Sequence, residues 1–387
     1  MKTIVVSGAI ANRYPYGGAA WGRLEWLLGF KTLGCNVYFV EQIAPGNCVD
    51  EAGKPTGFEQ SANRRFFDAA MEQFDLADRA ALIYGDGSEF HGLKKNDLIE
   101  IASAADLLVN ISGHLNLVPL FTRFRRKAYV DVDPGYTQFW HAAGNPSARL
   151  AGHDDYFTIG QNIGTPGCTI PTCGIRWRRT WLPVALKHWP ARMRSALDRF
   201  TTIASWRGAY GTSELGGKRF GPKAHEFRKF FELPERAPFL QFELALDIHS
   251  AEQIDLAALK KYGWRLVDPK TTAGDPSAFQ SYIQNSGAEF SVAQPVYTET
   301  GSGWFSQRTA EYLASGKPVL VQDTGLGRHL PIGDGLLTFS NLHQAVDGVE
   351  NIRANYAQHC RAARALAEEH FDSDKVLTKF LAEISNI

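Results

Sequence analysis

The chain has no surplus of either charge. Its 41 lysines and arginines balance 41 aspartates and glutamates over 387 residues, which argues against a nucleic-acid-binding protein, usually basic overall, and leaves room only for a local basic groove. It also has no disulfide framework. The five cysteines (Cys35, Cys48, Cys168, Cys173, Cys360) are odd in number and form no CxxC pair, a pattern that fits a reducing compartment. Cys168 and Cys173 sit in a Pro/Gly loop without nearby histidines, so no metal site is expected there. No run approaches the roughly 20 apolar residues needed to cross a bilayer. The opening MKTIVVSGAI reads as a first strand leading into a Gly-rich turn, not as a signal peptide, and the expected address is the cytoplasm. A G-x-G-x-x-G fingerprint is missing, which weakens any dinucleotide reading. Internal repeats and low-complexity segments are missing too.

What is present is alternation. The length fits two domains of about 150–200 residues. Residues 3–7 form a β-branched run typical of a strand buried on both faces. A glycine-containing loop (8–18) follows, then a helix over 20–33 closed by Gly34, then a strand over 36–41. Further strands are expected at 81–84, 107–111, 128–132 and 156–159. A second series starts near residue 200, with strands at 201–206, 239–248, 264–267, 289–293, 319–321 and 336–338, and a mostly helical tail from 342 to 384. Residues 183–199, carrying Pro183 and Pro190, separate the two series. The expectation is therefore an α/β fold of two Rossmann-like domains, 1–185 and 186–387, facing across a cleft, with the last helix free to pack back on the first domain. Ligands of such sheets bind beyond the C-terminal strand ends.

The most informative segment is residues 300–327, TGSGWFSQRTAEYLASGKPVLVQDTGLG. Ser302-Gly303 precede a helix, and a Gly/Ser helix start leaves free amides and the positive dipole end for a phosphate. Trp304, Arg308 and Glu311 share one stripe of that helix. Arg308 is placed to contact the phosphate, and Glu311 to accept from ribose hydroxyls. The following strand ends in Gln322, Asp323, Thr324 and Gly325, short polar groups suited to a sugar. This stretch resembles the nucleotide-sugar-binding core of GT-B glycosyltransferases, in whose large retaining branch a glutamate on this helix precedes an A-x-G-x-P-V run. Glu311, Ala314, Gly316, Pro318 and Val319 occupy the matching positions. The resemblance is closer still to bacterial glycosyltransferase family proteins and spore-coat CgeB-like proteins. It implies that Glu311 contacts the donor ribose. The second glutamate of the E-x7-E pattern is replaced by Gly303, which leaves inversion against retention open.

Other candidates follow from position. Gly17 and Gly18 resemble the Gly-Gly loop that opens many GT-B proteins, where a missing Cβ lets backbone approach a ligand. Trp206 and Arg207 follow the first strand of the second series, before a basic loop carrying Lys218 and Lys223. Arg207, then Lys218, is expected to offset the leaving-group charge. Asp131 and Asp133 form a DxD triplet, but the two-domain reading favours no metal, with Asp133 or His114 serving as base for an acceptor hydroxyl. The expected activity is metal-independent transfer from a UDP-, dTDP- or GDP-sugar to a small-molecule, glycan or natural-product acceptor. A 2-epimerase of the same architecture and a non-catalytic nucleotide- or carbohydrate-binding protein are the rivals. No cofactor beyond the nucleotide-sugar co-substrate is expected, and a homodimer is compatible with the sequence.

Overall fold

A computed structural model describes residues 1–208 and 210–384. Two open sheets organise it. The first contains β1 (Thr3–Ser7), β2 (Asn36–Ile43), β3 (Ala80–Tyr84), β4 (Glu89–Gly92), β5 (Leu107–Ile111), β6 (Lys127–Asp131), β7 (Asp155–Thr158) and β8 (Trp177–Arg179), in the order 4-3-2-1-5-6-7-8. All neighbours run parallel except β4, which pairs antiparallel with β3. The second sheet contains β9 (Arg199–Ser205), β12 (Gln241–Asp247), β13 (Arg265–Val267), β14 (Ala288–Ser291), β15 (Val319–Gln322) and β16 (Leu336–Phe339), all parallel, in the order 13-12-9-14-15-16. Between its first two strands lies a short hairpin, β10 (Ser213–Leu215) and β11 (Lys218–Phe220).

Each sheet therefore reverses its winding beside its first strand, between β1 and β5 and between β9 and β14. These are the points where parallel α/β sheets open a crevice. The central strands read as they do because both their faces are covered: β5, LLVNI, is buried at every position. The sequence missed β4 and β8, short edge strands of three or four residues, and the hairpin, which lies in the Gly-rich basic loop.

One apolar core runs through both lobes. It links Ile4 and Val6 of β1 to Trp21 and Leu24 on the first helix (Gly17–Thr32), and then to Ala310, Leu313 and Val321 of the second lobe. The Trp21 indole donates to the Pro276 carbonyl at 2.8 Å, tying the lobes together. The last helix, Ser373–Glu383, packs against the first: Trp26 and Phe380 meet edge to face at 5.2 Å. The chain reaches it through Val184, which exchanges backbone hydrogen bonds with Phe371 and Ser373. Among the described residues no helix is long and apolar enough to cross a membrane.

Candidate functional site

The two reversal points face each other across a cavity of about 520 Å³. On the first-lobe side, the loop after β1 is anchored by Glu41 of β2. Its buried carboxylate accepts from the amides of Ile10, Ala11 and Asn12 and from the Asn12 side chain, each at 2.8 Å. That anchor presents Arg13 to the cavity. Arg23, one and a half turns into the first helix, lies over Gly8 and also lines the cavity. Its Nε is buried without a hydrogen-bond partner, and burial together with Arg13 lowers its pKa. Asp133, just past β6, faces the same space and accepts from the Tyr210 hydroxyl at 2.9 Å. Burial raises its pKa, a shift opposed by Tyr210, Arg13 and Arg23.

On the second-lobe side, the walls come from Ser205, Gly208, Asp247, Gln294, Tyr297, Trp304, Ser306 and Gln307. Trp304 stacks on Tyr297 with centroids 4.3 Å apart and planes 11° apart, an aromatic platform at the cleft. The Tyr16 hydroxyl donates to Asp247 at 2.8 Å and bridges the mouth between lobes. Burial and that carboxylate push its pKa up to about 12. A smaller cavity of about 260 Å³ shares Tyr16, Gly18, Ser306 and Gln307 with the first, and continues between Ile203, Ala204, Pro269, Ala273 and Phe279. These are apolar walls for a flat ring.

The phosphate-binding helix start expected at Ser302-Gly303 lies elsewhere. The amide of Gly303 donates to Thr324 O at 2.7 Å and that of Ser302 to Tyr297 O. Their carbonyls accept from the backbone of Asn162 and Gln161 in the first lobe. A Cβ on Gly303 would stand 3.0 Å from Asn162. This turn is a lobe-to-lobe clamp. The helix itself, Gln307–Ala314, begins four residues later at Ser306, whose side chain does not cap it. The amides of Gln307, Arg308 and Thr309 have no protein acceptor among the described residues. Ser306, Gln307 and Arg308 line the smaller cavity, so the open positive end of a helix does meet the cleft, about one turn from where the sequence put it.

Most of the other second-lobe expectations are corrected. Arg308 commits a donor from each of its three nitrogens to protein: it binds Glu289 at 2.6 Å, Ile203 O at 2.7 Å and Ser291 Oγ at 2.8 Å, and so braces the cleft floor. Glu311 is 0% exposed and turned toward the first lobe, and among the described residues it accepts only from Gln307 of its own helix. Burial, then the charge of Glu25, raises its pKa well above the carboxylate range, and it lines neither cleft cavity where a ribose would lie. Glu25 accepts from Ala185 N and from the Trp189 indole at 2.6 Å, in the segment joining the lobes. Gln322 is spent on Ala293 N and Glu226, Thr324 on the Trp304 carbonyl, and Asp323 on the amides of Gly325 and Leu326. Gly325 packs on Asn162. None of these four lines the cleft. Trp206 is a core residue bound to Asp255, Arg207 points to solvent and pairs with Glu252, and Lys218 pairs with Glu299 at 2.8 Å.

In the first lobe, Gly17 and Gly18 mark where the lobes touch. A Cβ on Gly18 would stand 2.5 Å from the Phe279 ring, although the backbone of Gly18 does line both cavities. Asp131 is consumed by Thr137, Gln138, Thr158 and the Asp133 amide, so the DxD pair presents one carboxylate, not two. His114 lines an adjoining first-lobe groove. Burial and the guanidiniums of Arg23, Arg149 and Arg13 hold its pKa well below the usual imidazole value, leaving it neutral.

Three groups were missed or passed over. Arg13 and Arg23 had no motif to mark them. Lys223, noted only as part of a basic loop, starts the helix Lys223–Phe227 close to Arg308. Burial, then Arg308, lowers its pKa to about 7. Among the described residues none of the three forms an ion pair with a carboxylate.

No protein-family model and no curated protein matches the chain. Solved structures do. An α-glucosyltransferase in complex with UDP-glucose and DNA containing an abasic site superposes with a TM-score of 0.60 at 11% identity, covering 99% of both chains. HepE of Anabaena, in complex with UDP and glucose, gives 0.59 at 11%, over 99% of this chain and 100% of that one. AviGT4, a glycosyltransferase involved in avilamycin A biosynthesis, gives 0.55 at 12%, over 99% and 97%. Such identities speak to the fold and not to the CgeB-like grouping. Two facing Rossmann-type sheets, matched from end to end by these enzymes, give this chain the GT-B fold.

Proposed function

We propose that the chain is a glycosyltransferase that moves a sugar from a nucleoside diphosphate sugar, held in the cleft, to a hydroxyl of an acceptor entering from the first lobe, without a metal ion. One observation carries the proposal. An uncapped helix start and the unpaired cations Arg13 and Arg23 converge on one interlobe cleft, with Lys223 close to Arg308 of the adjoining smaller cavity, a setting for a diphosphate. The apolar slot between Ile203, Ala204, Pro269 and Ala273 suits the base, and the Trp304–Tyr297 platform suits the sugar. UDP is the favoured nucleotide because HepE and the α-glucosyltransferase, which share the fold, carry UDP or UDP-glucose.

In the reaction, the acceptor oxygen bonds to the anomeric carbon while the bond from that carbon to the diphosphate oxygen breaks. Asp133 takes the acceptor proton, since its raised pKa makes it a stronger base than an ordinary aspartate. Arg23, Lys223 and the helix-start amides stabilise the charge on the departing nucleoside diphosphate, the work a metal would otherwise do. The Tyr16–Asp247 bridge keeps water from competing. The test is UDP release from UDP-sugars in mixtures of small-molecule, glycan and natural-product acceptors, with calorimetric UDP binding alongside. Failure to bind any nucleoside diphosphate would refute the proposal.

A further inference from the structure

The first lobe carries a groove of about 730 Å³ beside the reaction cleft, joined to it at Arg13, which lines both. We infer that this groove takes an acceptor that is both polyhydroxylated and anionic: a sugar or polyol bearing a phosphate or carboxylate. The inference rests on the transferase reading above.

Charge comes first. Arg13 and Arg149 line the groove, and no carboxylate among the described residues pairs with either. The Arg149 guanidinium has no hydrogen-bond partner among the described residues, and the lining holds a single carboxylate, Asp86, at the rim. His114 lies among these guanidiniums with its imidazole neutral, so it adds a polar contact and no countercharge. Unpaired guanidiniums side by side repel, and an incoming anion relieves that repulsion while forming charge-assisted hydrogen bonds. Backbone strain is the second observation. Arg149 and Ser112 both hold left-handed φ angles, 49° and 53°, a conformation that costs a non-glycine residue and concentrates at binding sites. Gly113 packs beneath Arg149: a Cβ there would stand 2.7 Å from Arg149 Cβ. The strained loop thus fixes the Arg149 Cβ at the groove, and the guanidinium extends from there. Four side-chain amides, Asn12, Gln42, Asn47 and Asn116, also line the groove. Asn12 and Gln42 are tied down by Glu41 and the Gly85 carbonyl and shape the wall, while the side chains of Asn116 and Ser88 beside them offer polar partners for hydroxyls.

The experiment uses the full chain. Glucose, glucose 6-phosphate, glucuronate and a 13-mer DNA duplex serve as probes, with binding read by saturation-transfer NMR and turnover by UDP release from UDP-glucose. Glucose 6-phosphate or glucuronate is expected to bind and to be used at least about tenfold better than glucose, the worth of one charge-assisted contact. The two probes separate phosphate from carboxylate. Arg149→Gln should abolish that preference, Arg149→Lys should restore part of it, and UDP affinity should stay within about twofold in both. Equal use of glucose and its anionic relatives, or a preference unmoved by Arg149→Gln, overturns the inference while UDP binding leaves the transferase reading standing. Tighter binding of the duplex than of either sugar acid also overturns it, in favour of a nucleic-acid acceptor. If UDP does not bind, the transferase reading falls and the NMR arm still decides whether the groove selects anions.

Discussion

A Cβ placed on Gly17 would stand 2.1 Å from the carbonyl oxygen of Asp275, because the first helix of one lobe begins directly against the backbone of the other. The Gly17 amide completes the contact by donating to Ala273 O at 3.1 Å. Gly17→Ala is therefore expected to force the lobes apart at the cleft. Overpacking of this kind costs about 1–3 kcal/mol. Thermal melting and nucleotide titration of the variant should show both a lower Tm and weaker UDP binding. Unchanged melting would mean that the lobes have room to spare.

Arg308 is expected to act on the fold more than on the ligand. Its guanidinium is the partner of Glu289, which is fully buried. Removing it strands that charge, at a cost of about 3–5 kcal/mol. Arg308→Ala should therefore shift the urea midpoint far more than Lys223→Ala does.

Lys223 is expected to matter for binding, and in a pH-dependent way. Its ammonium titrates near pH 7 because burial and Arg308 disfavour the charge. A diphosphate binds the protonated form, so UDP affinity should fall as pH rises through about 7, and Lys223→Ala should remove that dependence. The loss below pH 7 is expected to be about 1.5–3 kcal/mol. Isothermal titration at pH 6 and pH 8.5 reads both effects, and Arg207→Ala serves as the exposed-cation control.

Glu311 carries a stability signature. Its folded pKa lies above the unfolded value of about 4.3. The folded state thus keeps a proton that the unfolded chain has lost. Stability from this group is complete below pH about 4.3 and declines as pH rises toward the folded pKa, by about 1.4 kcal/mol per pH unit. Glu311→Gln keeps the shape of the neutral acid and should flatten that decline. Urea unfolding of both proteins at pH 5 and pH 7.5 would contradict this if the two curves ran parallel.

Asp133→Asn should lower kcat about 10²- to 10⁴-fold while leaving UDP affinity within about twofold. An equal loss in affinity would place Asp133 in binding and not in proton transfer.

The alternation of β-branched runs and amphipathic helices made the two sheets legible, because strands buried on both faces must be apolar throughout. The site was less legible, since its partners are remote in sequence. Arg308 looked like a phosphate ligand until Ile203, 105 residues away, took one of its donors. Ser302 and Gly303 looked like a cradle, but Asn162 of the other lobe fills that turn, binding Gly301 O from 139 residues away. Glu311 fitted the motif, yet the turn of its helix carries it toward Glu25. Arg23 had only its spacing, six residues after Gly17 on a helix whose opposite face is core, and that spacing alone could not tell a cleft from solvent. Gly17 and Gly18 looked like a loop open to a ligand, and the close approaches their missing Cβ atoms permit are to Asp275 and Phe279 of the other lobe.

The most direct test is a crystal structure of the chain with UDP. The account predicts the diphosphate at the amides of Gln307 and Arg308, within reach of Lys223 and Arg23, and the uracil between Ile203, Ala204, Pro269 and Ala273. A nucleotide bound away from this cleft, or a cleft that stays empty at saturating UDP, would contradict it.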